Sequence, residues 1–332
     1  MKDSLMPKIN SYKKDGLEFL EITNNVGMVV TFTSFGGALY SIKLNGEYMT
    51  YQAKEVEDFK KENIFNGKCL GRVAGRIKGD KLVIGSKEYK LHANEDGNVL
   101  HGGVNAISTK TFSQRVFNTT GHVHVVYTYF STNGEAGFPG NALFEIHYIV
   151  SDDLTKIKVK LLSYVTEKCP VSMTSHTYFS LGEGNLKNTS LKINASKVLD
   201  INPNDLILGN EMNVPSYLDF RKAKPVLKDI DNKAINVGKL KGYDHAYIFD
   251  EVDDEIPQVV MENDKYRLNV FTDFDSTLIY TDNLDLGFEA DNSKEKTRRG
   301  IAIEPQLNPS KDLILARGDE FSYFVRYEFE KK

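Results

Sequence analysis

Alternation of apolar and polar residues with a period of two constrains this chain more than any other feature. His124 to Ser131 (HVVYTYFS) leads through the turn-rich NGEAGFPGN into Ala142 to Val150 (ALFEIHYIV), and Ile157 to Thr166 (IKVKLLSYVT) follows. Successive side chains of a strand point to opposite faces, so segments of this kind, rich in Val, Ile, Tyr and Phe, suit strands. They read as an antiparallel meander, and Phe321 to Glu330 (FSYFVRYEFE) adds a strand with one wet and one dry face. Asn-Gly pairs at 45–46, 66–67 and 133–134 are hairpin-type signals and argue against βαβ units. Helical periodicity is weak, and only EVEDFKKEN, within 51–63, offers a short helix or turn. The expectation is an all-β chain forming a single domain over 1–332, with the Lys/Glu/Arg-rich span 291–299 as an exposed loop.

Length and charge narrow the function classes. At 332 residues the chain can build one large β unit, and 40% apolar with 27% charged residues is the balance of a soluble globular protein. A net charge of −4 and the lack of a basic stripe speak against a nucleic-acid partner. Cys69 and Cys169 stand far apart with no CxxC spacing, which suits two reduced cysteines in a cytosolic protein. The opening MKDSLMPKINSYKKDG has no apolar h-region, and no stretch approaches the ~20 apolar residues of a span. A soluble, cytoplasmic protein without membrane attachment is expected. GRVAGRIKGD places glycines at 71, 75 and 79 but forms no phosphate loop, so no nucleotide cofactor is expected. His122 and His124 put two rings on one strand face, yet there is no HExxH motif and no third ligand nearby, so no metal is expected either.

Against this background a few polar residues stand out. His101 lies in HGG, His176 in SHTYF, Asp244 in YDHAY and Glu304 in IAIEPQ. Proton transfer needs an acid and a base with suitable proton affinities on a rigid frame, and these residues converge only if one sheet assembly gathers them. Each has a plainer reading. Glu304, directly after Ile301-Ala302-Ile303, is either an edge-strand charge that blocks pairing or a partly buried carboxylate of raised proton affinity. His101 is a satisfied polar residue or a group whose flanking glycines admit a ligand. His176 follows a long strand and precedes an aromatic pair, where a strand end can present a ring into a cleft. Arg76, between Val73 and Ile77, is a structural ion pair or a planar donor fork, with Arg72 as competitor. His245 stands beside Asp244 as a supporting candidate. Asp244 and Glu304 together also admit a glycosidase pair.

At these residues the chain resembles the galactose mutarotase family, the aldose 1-epimerases, from about Gly16 to the C-terminal strand. The resemblance rests on segments in the family's order: Gly71 to Ile77 (GRxxNRI-like), Asn98 to Gly103 (NxLHGG), Gly137 to Gly140 (GFPG), Thr174 to Leu181 (TNHxYFNL-like), Asp244-His245, Leu278 to Asn283 (QxYT-like) and Ile303 to Ser310 (LExQxxPD-like). It implies a large antiparallel β-sandwich that interconverts the α and β anomers of free aldohexoses such as galactose and glucose. It implies a monosaccharide as partner, no cofactor, and a monomer or homodimer. Carried over by position, Glu304 becomes the catalytic base, His176 the acid, and His101, Arg76 and Asp244 the substrate-orienting residues. Tyr178 or Phe179 lines an apolar sugar face or packs in the core. Gly75, Ser175, Ser180, Leu278 and Ser310 depart from the family pattern and bear on sugar preference. A carbohydrate-binding protein or sugar sensor on the same fold is the rival reading, and a glycoside hydrolase the rival enzyme.

Overall fold

The computed structural model describes residues 6–332. The expected meander is present: Ser113–Thr119, His122–Ser131, Ala142–Ser151 and Lys156–Val165 pair antiparallel in chain order. The C-terminal strand Phe321–Lys331 joins them, and Tyr266–Thr272, Val259–Glu262, Ser190–Ile193 and Lys224–Pro225 complete a nine-stranded sheet. A five-stranded sheet runs in simple order from Lys8–Lys14 to Glu47–Tyr48. A six-stranded sheet takes Tyr178–Phe179, Ile301–Gln306, Ser276–Tyr280, Asp244–Ile248, Lys197–Ile201 and Leu208–Asn213 side by side.

Burial follows the alternation. Phe144, Ile146, Tyr148 and Val150 on one strand, with Ile157, Val159 and Leu161 on its neighbour, point to the dry face. The five-stranded sheet packs on part of that face, where the rings of Phe32 and Tyr148 lie 4.9 Å apart and Tyr148 Oη donates to the Gly37 carbonyl at 2.8 Å. The six-stranded sheet packs on the rest, with the Phe179 ring 5.0 Å from Tyr327. One apolar cluster runs continuously from Leu20 to Phe329. The architecture is therefore an antiparallel β-sandwich, with the long sheet as one layer and the two smaller sheets as the other.

The short helix falls at Val56–Phe59, the one α-helix among the described residues, and no described helix is long and apolar enough to cross a membrane. Of the Asn-Gly pairs, Asn45-Gly46 makes the two-residue hairpin turn, both residues having positive φ (51° and 83°). Asn133-Gly134 opens a longer loop, and Gly67 is instead a point where its N–H donates to the His176 carbonyl at 2.8 Å.

The span 291–299 departs from the expected exposed loop at its end. Lys294, Glu295 and Lys296 are exposed, but Arg299 is buried. Its Nε and Nη2 donate to the two oxygens of Asp282 at 2.7 and 3.0 Å, and its guanidinium lies between the rings of Phe288 and Tyr51, 4.3 and 4.9 Å from their centroids. A carboxylate supplied from a distant strand end neutralises the charge, which local sequence cannot reveal. Removing only the carboxylate strands a buried cation. Asp282→Ala should therefore lose about 3–5 kcal/mol in a chemical denaturation experiment. Arg299→Met with Asp282→Leu should lose much less than Asp282→Ala alone.

Candidate active site

The six-stranded sheet sorts its residues by parity. Across it Tyr178 faces Ala302, Ala302 faces Tyr280 and Tyr280 faces Asp244, while Leu278 stands between Glu304 and Ala246. Side chains alternate along each strand, so Tyr178, Ala302, Glu304, Leu278, Tyr280 and Asp244 share one face. Phe179, Ile301, Ile303, Ile279 and Tyr247 take the other, which is the sandwich interior. Phe179 is thereby a core residue packed on Tyr327 and Phe329, and only Tyr178 stays with the site, its ring 4.9 Å from that of His176. His245 also takes the interior face. Its Nδ1 accepts the Asp244 N–H at 3.1 Å, and burial lowers its pKa to about 4.

Glu304 is no solvated edge charge, because every residue of Ile301–Gln306 is buried, with Ser276–Tyr280 paired along it and Tyr178–Phe179 on its other side at Ile301 and Ala302. The Glu304 carboxyl is 1% exposed and its Oε1 lies 3.2 Å from His176 Nε2. That approach lacks hydrogen-bond alignment, leaving Glu304 Oε1 and His176 Nδ1 without a partner among the described residues. Loss of water disfavours the charged form of both groups. Burial, with Asp244 adding to it, raises Glu304 well above the ordinary carboxyl range, while Arg76 opposes the rise. Burial lowers His176 to about 3.

The remaining candidates come from the N-terminal half. Arg76–Ile77 pairs with Val99–Leu100, which brings Arg76 and His101 to one place. Gly75 has φ +79°, and its N–H donates to His101 Nδ1 at 3.1 Å, which leaves Nε2 as the position of the ring proton. Gly102 has φ +93°, and a Cβ there would stand 2.1 Å from the Gly71 carbonyl oxygen, so backbone approach requires glycine. Burial, then His176 and Arg76, lower the His101 pKa, consistent with a neutral donor ring. The His101 and His176 rings meet edge-on at 5.4 Å. Arg76 Nη1 lies 3.8 Å from Asp244 Oδ2, and burial raises Asp244 more than Arg76 lowers it. All five sequence candidates thus gather in one cluster, four of them buried and Arg76 half-buried. Arg72, the competitor, is spent on the Pro139 and Gly140 carbonyls and Ser131 Oγ at 2.7, 2.9 and 2.9 Å, where it holds the GFPG turn.

Two neighbours escaped the sequence reading. Phe65 places its ring 4.7 Å from His101 and 5.7 Å from His176, and nothing in NIFNGK marks it. Glu95 receives Arg76 Nε and Nη2 at 2.5 and 2.9 Å, and the only signal for it is the Asp-Gly turn that follows. Among the departures from the family pattern, Leu278 faces the site and Gly75 holds His101. Ser175 Oγ lies 3.0 Å from Thr177 Oγ1, Asn292 Nδ2 donates to Ser180 Oγ at 3.3 Å, and Ser310 Oγ donates to Asn308 Oδ1 at 2.8 Å.

Other features lie apart from this cluster. A groove of about 270 Å³ on the nine-stranded sheet shares none of these residues, and its Arg267 is paired with Glu262 at 2.7 Å. His122 and His124 keep their rings 6.4 Å apart and bond locally, His122 to the Thr120 carbonyl and His124 to Thr119 Oγ1.

Comparison with known proteins gives the family of the chain. Residues 18–328 match the family described as aldose 1-epimerase. The chain is 27% identical to the aldose 1-epimerase of Escherichia coli K12 over 339 aligned positions, covering 93% of this chain and 94% of that protein. It is 27% identical to the human galactose mutarotase over 197 positions, 58% of this chain and 54% of that one. The crystal structure of a galactose 1-epimerase from Lactobacillus acidophilus NCFM superposes with a TM-score of 0.87 at 25% identity, with 99% of each chain covered. The chain belongs to the aldose 1-epimerase family.

Proposed function

We propose that the protein interconverts the α and β anomers of free aldohexoses, galactose and glucose among them, by acid/base ring opening and closure. The observation that carries this reading is the buried Glu304–His176 contact of 3.2 Å beside His101 and the Arg76–Asp244 pair. Glu304 takes the proton of the C1 hydroxyl while protonated His176 gives one to the ring oxygen. The C1–O5 bond breaks, O1 becomes the aldehyde oxygen, rotation about C1–C2 exposes the other face, and reversed transfers close the ring. The two acting groups lie close enough to serve oxygens that share one carbon. His101 donates near the ring oxygen, and Arg76 with Asp244 holds the hydroxyls that stay in place.

The chemistry needs one proton within the pair. Before sugar binds, burial favours that proton on Glu304, since Glu304 is raised and His176 lowered. Arg76 favours the carboxylate, and sugar hydroxyls that donate to Glu304 act in the same sense, so binding moves that proton towards His176. General acid and base contributions of roughly 10²–10⁴-fold each suit a reaction that already proceeds in water.

The direct test is polarimetry or NMR of freshly dissolved α-D-galactose and α-D-glucose, whose relaxation the protein should accelerate. Binding with unchanged anomer exchange would identify a carbohydrate-binding protein instead, and release of reducing sugar from a glycoside would identify a hydrolase. Replacing either proton carrier should cost roughly 10²-fold or more in kcat, through Glu304→Gln or His176→Gln, with the variants still folded. A near-wild-type kcat in either would remove that residue from the role.

Stability should move the other way. The folded-state pKa of Glu304 is raised, so its contribution is fully present below the unfolded carboxyl pKa and is lost as pH rises towards the folded one. Glutamine does not titrate. Glu304→Gln should therefore melt higher than the wild type, by a margin that grows as pH rises above the ordinary carboxyl range. A pair that carries one proton also works between its two shifted titrations. Because His176 is lowered to about 3 and Glu304 is raised before sugar binds, kcat/KM should stay level through the usual imidazole range. A tenfold fall per pH unit beginning near about pH 6.5 would contradict the shared-proton reading.

A further inference from the structure

The Arg76 guanidinium has two different sides. Nε and Nη2 are held by both oxygens of Glu95, at 2.5 and 2.9 Å, a fork-to-fork pair of fixed plane. Nη1 is left facing Asp244 at 3.8 Å, beyond hydrogen-bond distance. Its protons have no hydrogen-bond partner among the described residues, on the side where Asp244 stands.

Glu95 is itself held firmly. Glu95 and Asn98 bridge each other by N–H to carbonyl bonds of 3.1 and 2.8 Å around Asp96 and Gly97, whose φ of 47° and 83° are those of a tight hairpin turn. Asn94 bonds both the N–H and the carbonyl of Leu100, at 2.7 and 3.0 Å, and Leu100 immediately precedes His101. Asn98 Oδ1 accepts the Gly79 N–H at 2.8 Å, tying the turn to the segment after Arg76. Asp96 pairs with Lys239 at 2.6 Å, on the loop that leads to Asp244. The turn is thus tied to the segments before His101 and after Arg76 and to the loop that leads to Asp244. Asx and hairpin geometry of this kind supports many surface turns. The distinguishing feature is the half-buried carboxylate paired with both nitrogens of an arginine that is itself half-buried.

We infer that Glu95 is a positioning residue, which fixes the plane of Arg76 so that Nη1 and its unspent protons meet the sugar hydroxyls, and so sets monosaccharide affinity without touching the sugar. The inference rests on the sugar-binding role proposed above for Arg76. An unclamped arginine has several rotamers and would fold back onto Asp244 or Glu304. The competing description is an ordinary ion pair that only stabilises the loop.

Glu95→Gln, Arg76→Ala and the double variant separate the two, with D-galactose and D-glucose as probes. Kinetics give KM and kcat, a calorimetric or NMR titration gives Kd, and thermal melting gives stability. Glu95→Gln should raise KM and Kd roughly tenfold while kcat falls less, because a single amide cannot hold both nitrogens with charge. In the Arg76→Ala background the same change should alter KM and Kd less than about twofold, since the group it positions is gone. Glu95→Asp, which keeps the charge, should lie between wild type and Glu95→Gln. An unchanged KM with a lowered Tm, or an equal factor in both backgrounds, overturns the inference. If the wild type binds sugar without speeding anomer exchange, the catalytic reading fails and Kd alone still decides on Glu95. A wild type that binds neither sugar sinks both.

Discussion

A carboxyl group kept out of water in the middle of a sheet organises much of what surrounds it. Glu304 lies on Ile301–Gln306, an inner strand of the six-stranded sheet that is buried throughout. A charge placed there would be costly, so the group must share a proton, meet a cation or take up ligand hydroxyls. The structure supplies for it a histidine of lowered proton affinity at 3.2 Å and an arginine near enough to pull its titration down. Arg76 in turn is balanced by Glu95 and Asp244. Each partner answers the charge left by the one before it, and the chain of compensation ends at the partly exposed Glu95.

The sandwich makes this burial possible. The same strand that carries Glu304 outward sends Ile301 and Ile303 into the common apolar core, so the frame of the site and the core are one object. Tyr178 and Phe179 show the same division, adjacent in sequence but facing the site and the core respectively. Such coupling gives the side chains a rigid base. It also means that a core substitution on these strands reaches the site through the backbone. A second buried pair, Arg299 with Asp282, secures the end of the neighbouring strand and the loop that returns to Ile301.

Much of this was legible in the residues. The meander and the C-terminal strand followed from alternation alone, as did the scarcity of helix. The gathering of Arg76, His101, His176, Asp244 and Glu304 was expected from the family resemblance, and they are close together. Other features were not legible. Phe65 has no local pattern that distinguishes a ring at the site from one in the core. Arg299 reads as part of a solvated charge run because its neutralising partner comes from another part of the chain. Likewise nothing near Arg72 and Arg76 says that the first is consumed by backbone carbonyls and the second points at Asp244.

The sequence by itself determined which segments become strands and which residues on each strand share a face, because period two is a local property of an extended backbone. It also determined the positions where glycine permits positive φ, as at Gly75 and Gly102. Only the tertiary structure decided which face is core and which is site, which arginine turns a nitrogen towards Asp244, and how far Glu304 stands from His176. Those depend on register between strands distant in sequence and on the water excluded when sheets pack. Proton affinity follows from that exclusion, so a carboxyl and an imidazole of ordinary type become a buried pair of shifted titration only in the folded chain.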